Sequence, residues 1–255
     1  LGGLESNVRT VVEFLHNDPR FADMEIKESA GSESTFPKLS IKVRPEIVTL
    51  KANSPLEADT HHNHLTPEQW KETIENEPDI VLFDVRNRYE SAVGKFANAV
   101  ECDIENFREL PGYMPRLEEL KDKKVLMYCT GGIRCEKASA LFRDHGFNHV
   151  YQLQVNIVNY HREVGTKHWQ GECFVFDQRM TVPCPEPAED IGKCAHTHAP
   201  TTRFVNCLHD PCHVLFLLDE AAERSNPAFR LCPTCLASGL TPDTADYVGS
   251  PARLT

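Results

Sequence analysis

Apolar residues follow two different periodicities in the first fifty residues. Between Ser6 and Phe21 they recur at helical spacing, whereas residues 24–27 and 39–50 alternate or cluster as β-strands do. We interpret residues 1–51 as a partial α+β domain. Residues 52–64 contain Pro and Asn and few apolar side chains, so they are predicted to form a linker.

A second unit is predicted for residues 65–165. Thr66 as N-cap, Pro67 at the first helical position and Gln69 at N3 resemble a capping box that starts a helix. Continuous apolar runs at 80–83, 125–128 and 150–153 then alternate with helical patterns near 117–120 and at 135–145. This alternation predicts an α/β fold whose parallel sheet is covered by helices on both faces.

The remaining segment, residues 166–255, has little periodicity and many Cys, Pro and His residues. Such a segment cannot bury enough apolar surface to fold alone, so we expect it to need a metal ion or docking. The sequence contains no run of eighteen apolar residues and its first residues lack the features of a signal peptide. We therefore expect a soluble, cytoplasmic protein, and the start at Leu1 suggests a missing N-terminal piece.

Charge and cysteine usage narrow the function further. The net charge of −11 argues against a protein that coats nucleic acid through a global positive field, although a local basic patch is compatible with it. Five of the ten cysteines fall between positions 194 and 235 with spacing typical of metal ligands, and one lies in a Gly-rich loop. In a reducing compartment this usage favours catalysis and metal binding over disulfides.

The strongest chemical signal is the heptapeptide Cys129-Thr130-Gly131-Gly132-Ile133-Arg134-Cys135, between an apolar strand and a helix. The strand places the sulfur of Cys129 at the carboxyl edge of the sheet, where ligands of open α/β folds bind. The two glycines allow the loop to curl its N–H groups toward one anion, while the helix start and Arg134 add positive charge. We predict that Cys129 is a catalytic thiolate held in an anion cradle of Thr130, Gly131, Gly132, Ile133 and Arg134.

The spacing of the arginine separates two enzyme classes. A cysteine phosphatase has its arginine six residues after the nucleophile, the position that Cys135 occupies here, whereas Arg134 comes five residues after Cys129. The shorter loop favours sulfur transfer. The structural alternative is that Cys129 is a buried core thiol, and Cys135 is either packed in the first helical turn or a resolving thiol.

A second pair of charged residues ends the preceding apolar strand. Asp84 and Arg86 follow residues 80–83 and are expected at the same sheet edge as Cys129. Two interpretations are equally supported: Arg86 binds substrate, or Asp84 and Arg86 form a structural ion pair.

Four cysteines in the C-terminal segment form two spaced pairs, Cys207 with Cys212 and Cys232 with Cys235. Each pair can bind one side of a tetrahedral ion, so we predict a structural zinc site, with reduced surface thiols as the alternative. Substitute ligands are available nearby: Cys194, His196, His198, His209 and His213. The tripeptide His161-Arg162-Glu163 has the form of an iron-binding H-x-E motif, but a solvated helix face explains it better.

Several of these segments together resemble a known family, the rhodanese-domain proteins that act as oxygen-dependent tRNA uridine hydroxylases, which also includes eukaryotic thiosulfate sulfurtransferase-like proteins. The matching residues are Asp84-Val85-Arg86, Tyr89-Glu90, Val93-Gly94, 127–139 and Cys173-Phe174-Val175-Phe176-Asp177.

The resemblance implies a truncated ferredoxin-like N-terminal domain, a central rhodanese domain and a cysteine-rich extension. It implies a tRNA substrate whose wobble uridine becomes 5-hydroxyuridine, with molecular oxygen as co-substrate and Cys129 as the essential residue. This chain departs from the family in two places: Val155-Asn156 replaces the usual Gly-Gly, and Thr197 replaces a cysteine, with an insertion between Leu218 and Cys232.

The sequence is therefore compatible with three functions. The first is hydroxylation of tRNA, with Arg86 as an accessory contact and tRNA held by a basic patch. The second is transfer of a Cys129 persulfide to a small acceptor, and the third is a non-catalytic rhodanese module that binds a partner. The patch is predicted to contain Lys121, Lys123, Lys124, Lys137 and Arg143.

Overall fold

The structure is a computed structural model, which describes residues 2–24, 26, 28, 31, 36, 41–52, 63–154, 156–186 and 191–243. Its helices are α1 (Glu5–His16), α2 (Pro67–Asn76), α3 (Arg88–Ser91), α4 (Leu110–Tyr113), α5 (Ile133–Asp144), α6 (Ile157–Val164), α7 (Glu220–Ser225) and α8 (Pro233–Ala237), with 3₁₀ turns at Phe107–Glu109, Met114–Leu120 and Pro227–Arg230. Its strands are β1 (His64–Leu65), β2 (Ile80–Asp84), β3 (Gly94–Phe96), β4 (Val100–Glu101), β5 (Lys124–Tyr128), β6 (Val150–Leu153), β7 (Trp169–Gly171), β8 (Cys173–Phe174), β9 (Thr181–Val182), β10 (Phe204–Asn206) and β11 (Leu215–Leu217).

The apolar runs of the central segment form a parallel sheet, as predicted. Its strand order is β1-β6-β5-β2-β4, and all neighbouring strands are parallel. In the register of β2 with β5, Asp84 is opposite Tyr128. The carboxyl ends of the two middle strands therefore lie side by side, immediately before Val85 and Cys129.

Both faces of this sheet are buried, which explains why its strands are continuously apolar. Along β5, Val125 and Met127 face one core together with Phe142 of α5. Leu126 and Tyr128 face the other core, where Trp70 of α2 packs. Because side chains alternate along a strand, Cys129 continues the face that α5 covers.

Local signals at the start of the domain are also confirmed. The Thr66 hydroxyl accepts a hydrogen bond from the Gln69 N–H at 3.3 Å, and the Gln69 side chain accepts one from the Thr66 N–H at 3.0 Å. This is the predicted capping box, and Pro67 is the first residue of α2.

The N-terminal unit comprises Leu1–Pro45 and Phe176–Met180. The helical pattern predicted from Ser6 onward corresponds to α1. The predicted strands at 24–27 and 39–50 lie partly outside the described residues, and the described residues 41–50 form neither helix nor strand. Most of the predicted linker, residues 53–62, also lies outside the described residues, as does Val155.

The cysteine-rich segment has a small core of its own. Strands β10 and β11 pair in antiparallel fashion, and Val205, Phe216, Leu218 and Leu231 pack with buried cysteines. The ring of Phe204 lies 5.3 Å from that of Phe174. Buried cysteine side chains therefore occupy positions that apolar residues fill in a larger core.

Candidate functional site

The Cys129 loop is shorter than the sequence pattern indicates. Helix α5 begins at Ile133, two residues before the predicted start at Cys135, because Gly132 adopts φ +85° and turns the chain into the helix. An L side chain rarely adopts this backbone conformation. Only Thr130, Gly131 and Gly132 therefore separate Cys129 from the helix, and Cys135 lies in its first turn.

The Cys129 sulfur is placed as an anion. Its side chain belongs to the buried core, and the Gly132 N–H donates a hydrogen bond to Sγ at 3.0 Å. Burial alone raises the pKa of Cys129. A hydrogen bond from the Cys135 thiol, the Arg134 charge and the N–H groups of Cys135 and Arg134 outweigh it and lower the pKa to about 5. At neutral pH the sulfur is a thiolate.

The two loop glycines have different roles. Gly132 supplies both the positive φ and the hydrogen bond to sulfur. At Gly131 an added Cβ meets no atom within 4 Å, and the residue is exposed. Of the two glycines predicted to bend the loop toward the anion, only Gly132 therefore has the backbone conformation and the hydrogen bond that do so. At Gly131 the space that a Cβ would fill is empty.

Arg134 is fixed by Glu90, a residue whose role the sequence pattern did not reveal. Both carboxylate oxygens of Glu90 accept hydrogen bonds from Arg134, the Nη2–Oε2 distance being 2.7 Å. The Thr130 hydroxyl donates to the same carboxylate at 3.1 Å. Both charged side chains are buried. One available signal was the Asn87-x-x-Glu90 spacing, since Glu90 folds back on the Asn87 N–H at 3.2 Å.

Arg86 forms the structural ion pair that was one of its two predicted roles, and the complete burial of its side chain argues against the other role, substrate binding. Its side chain has no exposed surface and forms an ion pair of 2.6 Å with Asp84. Its Nη2 also donates to the Gly94 carbonyl at 2.6 Å, and its guanidinium lies 5.4 Å from the Trp169 ring centre. The position at the sheet edge was predicted, but the side chain points into the core beneath it.

The Asp84 carboxylate is the centre of this buried network. Besides Arg86, it accepts hydrogen bonds from Ser91 at 2.9 Å and from Tyr128 at 2.8 Å. Burial raises the pKa of Asp84, but the charge of Arg86 and the hydrogen bonds from Arg86 and Tyr128 outweigh it and hold the pKa below its ordinary value. The network links the ends of β2 and β5, the two strands that precede the site.

His161 is buried, so the solvated helix face predicted for His161-Arg162-Glu163 is wrong at its first residue. The imidazole is 4% exposed and packs on Trp169 with ring centres 5.0 Å apart. Its Nδ1 lies 3.5 Å from the Cys184 sulfur. Burial and the Arg86 charge lower the pKa of His161 to about 4, so it is neutral at pH 7.

The predicted basic patch does not form one surface around the loop. Lys124 begins β5, with Lys121 and Lys123 just before it, whereas Cys129 follows the other end of the strand. Five residues of strand span about 16 Å. Lys123 pairs with Asp79 and Lys124 with Glu77. On α5, Lys137 pairs with Glu46 and Arg143 donates to the Val150 carbonyl.

Cysteines of the C-terminal segment converge on one point. The sulfurs of Cys207, Cys212, Cys232 and Cys235 all lie within 4.8 Å of one another, and those of Cys212 and Cys232 are 3.8 Å apart. Zinc–sulfur bonds of about 2.3 Å in a tetrahedron require sulfurs about 3.8 Å apart. The donor set therefore fits a zinc ion.

Two of the five alternative ligands, His209 and His196, lie close to this cluster or to a residue next to it. His209 Nδ1 is 3.6 Å from the Cys235 sulfur, and His196 Nε2 is 2.9 Å from the Leu231 carbonyl oxygen. Neither belongs to the four-residue group. Four protein ligands leave no position for a substrate, which is typical of a structural site.

We expect the thiolate of Cys129 to titrate near pH 5. The difference in thiolate absorbance at 240 nm between wild type and Cys129→Ser should rise with a midpoint near this pH. Gly132→Ala should raise the midpoint, because the altered backbone moves the N–H away from the sulfur. Gly131→Ala is the matched control and should leave it unchanged. Equal effects of the two alanines would contradict this account of the cradle.

Three family models match successive segments of this chain. Residues 66–163 match the sequence model of the Rhodanese-like domain, residues 170–236 match Rhodanase C-terminal, and residues 1–47 match the UPF0176 acylphosphatase like domain. The predicted order of an α+β domain, a rhodanese domain and a cysteine-rich region is thereby confirmed. A solved rhodanese-like domain from Anabaena is 22% identical, covers 55% of this chain and 98% of its own, and has a TM-score of 0.37.

Two relatives carry the same name. A protein of Legionella pneumophila named tRNA uridine(34) hydroxylase is 43% identical, covering 71% of this chain and 73% of the relative. A protein of Chlamydia muridarum with that name is 36% identical, covering 91% of this chain and 80% of the relative. Among the described residues, no helix is both long and apolar enough to cross a membrane.

Proposed function

Because the chain belongs to the family of tRNA uridine(34) hydroxylases, we propose that it hydroxylates uridine 34 of a tRNA at carbon 5, with Cys129 as the catalytic residue. The observation that carries this proposal is the buried Cys129 thiolate at the carboxyl edge of the sheet. We further propose molecular oxygen as the co-substrate, as the family resemblance implies. We also propose a cytoplasmic location, and the ten free cysteines support it because disulfides are rare in a reducing compartment.

Each loop residue has a defined task in this proposal. The Gly132 N–H holds the sulfur and stabilises negative charge on it. Arg134 supplies positive charge, and Glu90 fixes that arginine while partly neutralising it. Thr130 is tied to Glu90, which positions the start of the loop. Gly131 and Ile133 are exposed, and we propose that the uracil base approaches the loop at these two residues.

The proposal is tested with purified protein, unmodified tRNA and air-saturated buffer that contains a thiol reductant. Mass spectrometry of the digested tRNA should show uridine 34 heavier by one oxygen atom. A parallel assay measures transfer of sulfur from thiosulfate to cyanide. Rapid sulfur transfer without any oxidised uridine would overturn hydroxylation in favour of a sulfurtransferase. If neither reaction occurs, the result favours the third function, a non-catalytic binding module.

We also propose that Cys207, Cys212, Cys232 and Cys235 bind one structural zinc ion that stabilises the C-terminal segment. Protein purified without chelators should contain about one equivalent of zinc, by the fit of four ligands to one tetrahedral ion. Cys232→Ser should lose most of the metal and lower the midpoint of thermal unfolding. Cys184→Ser, a substitution outside the cluster, should retain both. Metal-free wild type with an unchanged midpoint would contradict the site.

A further inference from the structure

Two buried thiols face each other in the catalytic loop. Cys129 and Cys135 are 2% and 1% exposed and pack in the same buried core, where each side chain shifts the pKa of the other. The early start of α5 creates this contact, since the Cys135 N–H bonds to the Gly132 carbonyl at 2.9 Å in the first helical turn. A tight loop with one cysteine at its start and one in the following turn brings both sulfurs to the same anion site.

The two sulfurs differ in protonation. Burial raises the pKa of Cys135, and the hydrogen bond and charge of Cys129 raise it further, whereas the pKa of Cys129 is lowered. The Cys135 thiol therefore donates its proton toward the Cys129 thiolate. A reactive thiolate beside a second protonated thiol is the arrangement by which an oxidised sulfur is resolved into a disulfide.

Hydroxylation by molecular oxygen requires a donor of two electrons. Insertion of one oxygen atom into a C–H bond takes up two of the four oxidising equivalents of O₂, so two electrons must come from elsewhere. The sequence contains no Gly-rich dinucleotide-binding motif. Two thiols that become one disulfide release the required two electrons.

We propose that Cys129 and Cys135 are the two-electron donor of the hydroxylation, with Cys135 as the resolving residue that closes a disulfide onto oxidised Cys129. This inference rests on the proposed function. In total, the uridine C5–H, O₂ and the two thiols give C5–OH, water and the Cys129–Cys135 disulfide. The O–O bond, the C5–H bond and both S–H bonds break, while one C–O bond, one S–S bond and the O–H bonds of the hydroxyl group and of water form.

The sulfur part of the reaction has two steps. Transfer of the second oxygen atom to the Cys129 thiolate gives a sulfenic acid. The Cys135 sulfur then attacks the Cys129 sulfur, and the displaced hydroxide leaves as water with the Cys135 proton. A low-molecular-weight thiol must reduce the disulfide before the next turnover. Because both sulfurs are buried, we expect them to be oxidised only while the uridine of the tRNA occupies the site.

The sequence offers a direct readout, because Arg134 separates the two cysteines. Trypsin cleaves after Lys124, Arg134 and Lys137, so a disulfide joins peptide 125–134 to peptide 135–137. Reduced protein, freed of reductant and mixed with tRNA and oxygen, is alkylated and digested without reduction. We expect the linked peptides in proportion to the hydroxylated uridine, at no more than one modification per chain.

The variant test uses Cys135→Ala, with Cys102→Ala as control because Cys102 is a buried thiol of the same core. Without reductant, Cys135→Ala should still form up to one hydroxylated uridine per chain, but its Cys129 should accumulate as a sulfenic acid, trapped by dimedone in proportion to the product, where wild type forms the disulfide. Cys102→Ala should match wild type. Thermal unfolding establishes that each variant folds, and Cys135→Ser replaces Cys135→Ala if the alanine variant does not fold.

Two results separate the inference from the function on which it rests. If wild-type protein hydroxylates tRNA and both cysteines are then alkylated as free thiols, the two thiols are not the electron donor. The proposed function is unaffected by that result. The same holds if Cys135→Ala hydroxylates tRNA without reductant and its Cys129 is then recovered as a free thiol that dimedone does not label. Wild type that forms no hydroxylated uridine even with reductant removes the proposed function, and the inference with it.

Discussion

Cys129→Ser is expected to reduce hydroxylation of uridine 34 by at least about 1,000-fold, the usual scale for loss of a nucleophile. The serine hydroxyl is close in size to the thiol, so the buried pocket at this position keeps its shape. It is not ionised at neutral pH, however, and the cradle that lowers the pKa of Cys129 to about 5 then has no anion to stabilise. The readout is the converted fraction of uridine 34 against time in purified tRNA.

The control for this substitution is Cys173→Ser, which also replaces a buried thiol but lies outside the loop. It should keep most of the activity if it folds, as judged by its thermal midpoint. A Cys129→Ser variant with more than a tenth of wild-type turnover would remove the catalytic assignment. Loss of activity in both variants with a lowered midpoint would instead indicate a folding defect.

Arg86→Met is expected to destabilise the protein by about 3–5 kcal/mol, because it leaves the Asp84 charge buried without its partner. The free energy of unfolding in urea measures this effect. The double variant Asp84→Leu/Arg86→Met should recover part of the loss, since it removes both charges. Asp79→Asn breaks the exposed pair with Lys123 and should leave the unfolding midpoint unchanged.

This experiment also decides between the two roles considered for Arg86. A structural role predicts a large loss of stability. The activity of the molecules that stay folded then depends on whether the ends of β2 and β5 keep their geometry. If Arg86→Met kept wild-type stability and raised the KM for tRNA, a substrate-binding role would be correct despite the complete burial of the side chain.

The sequence by itself determined the parts of the protein that depend on local patterns. Continuous apolar runs identified β2, β5 and β6, and the Thr66 and Gln69 pattern identified the start of α2. The strand–Cys–Gly-Gly–helix order placed Cys129 at the carboxyl edge of the sheet. Each of these signals comes from residues close in the chain, whose periodicity or turn preference is fixed by backbone geometry.

Tertiary structure alone decided which charged and polar side chains meet. Glu90 and Arg134 are 44 positions apart and pair only because β2 and β5 end side by side. The same packing turned Arg86 into the core, buried His161 against Trp169, and left Lys123 at the opposite edge from Cys129. Long side chains can reach several partners, so their contacts depend on which strands and helices become neighbours, and a one-dimensional pattern does not contain that information.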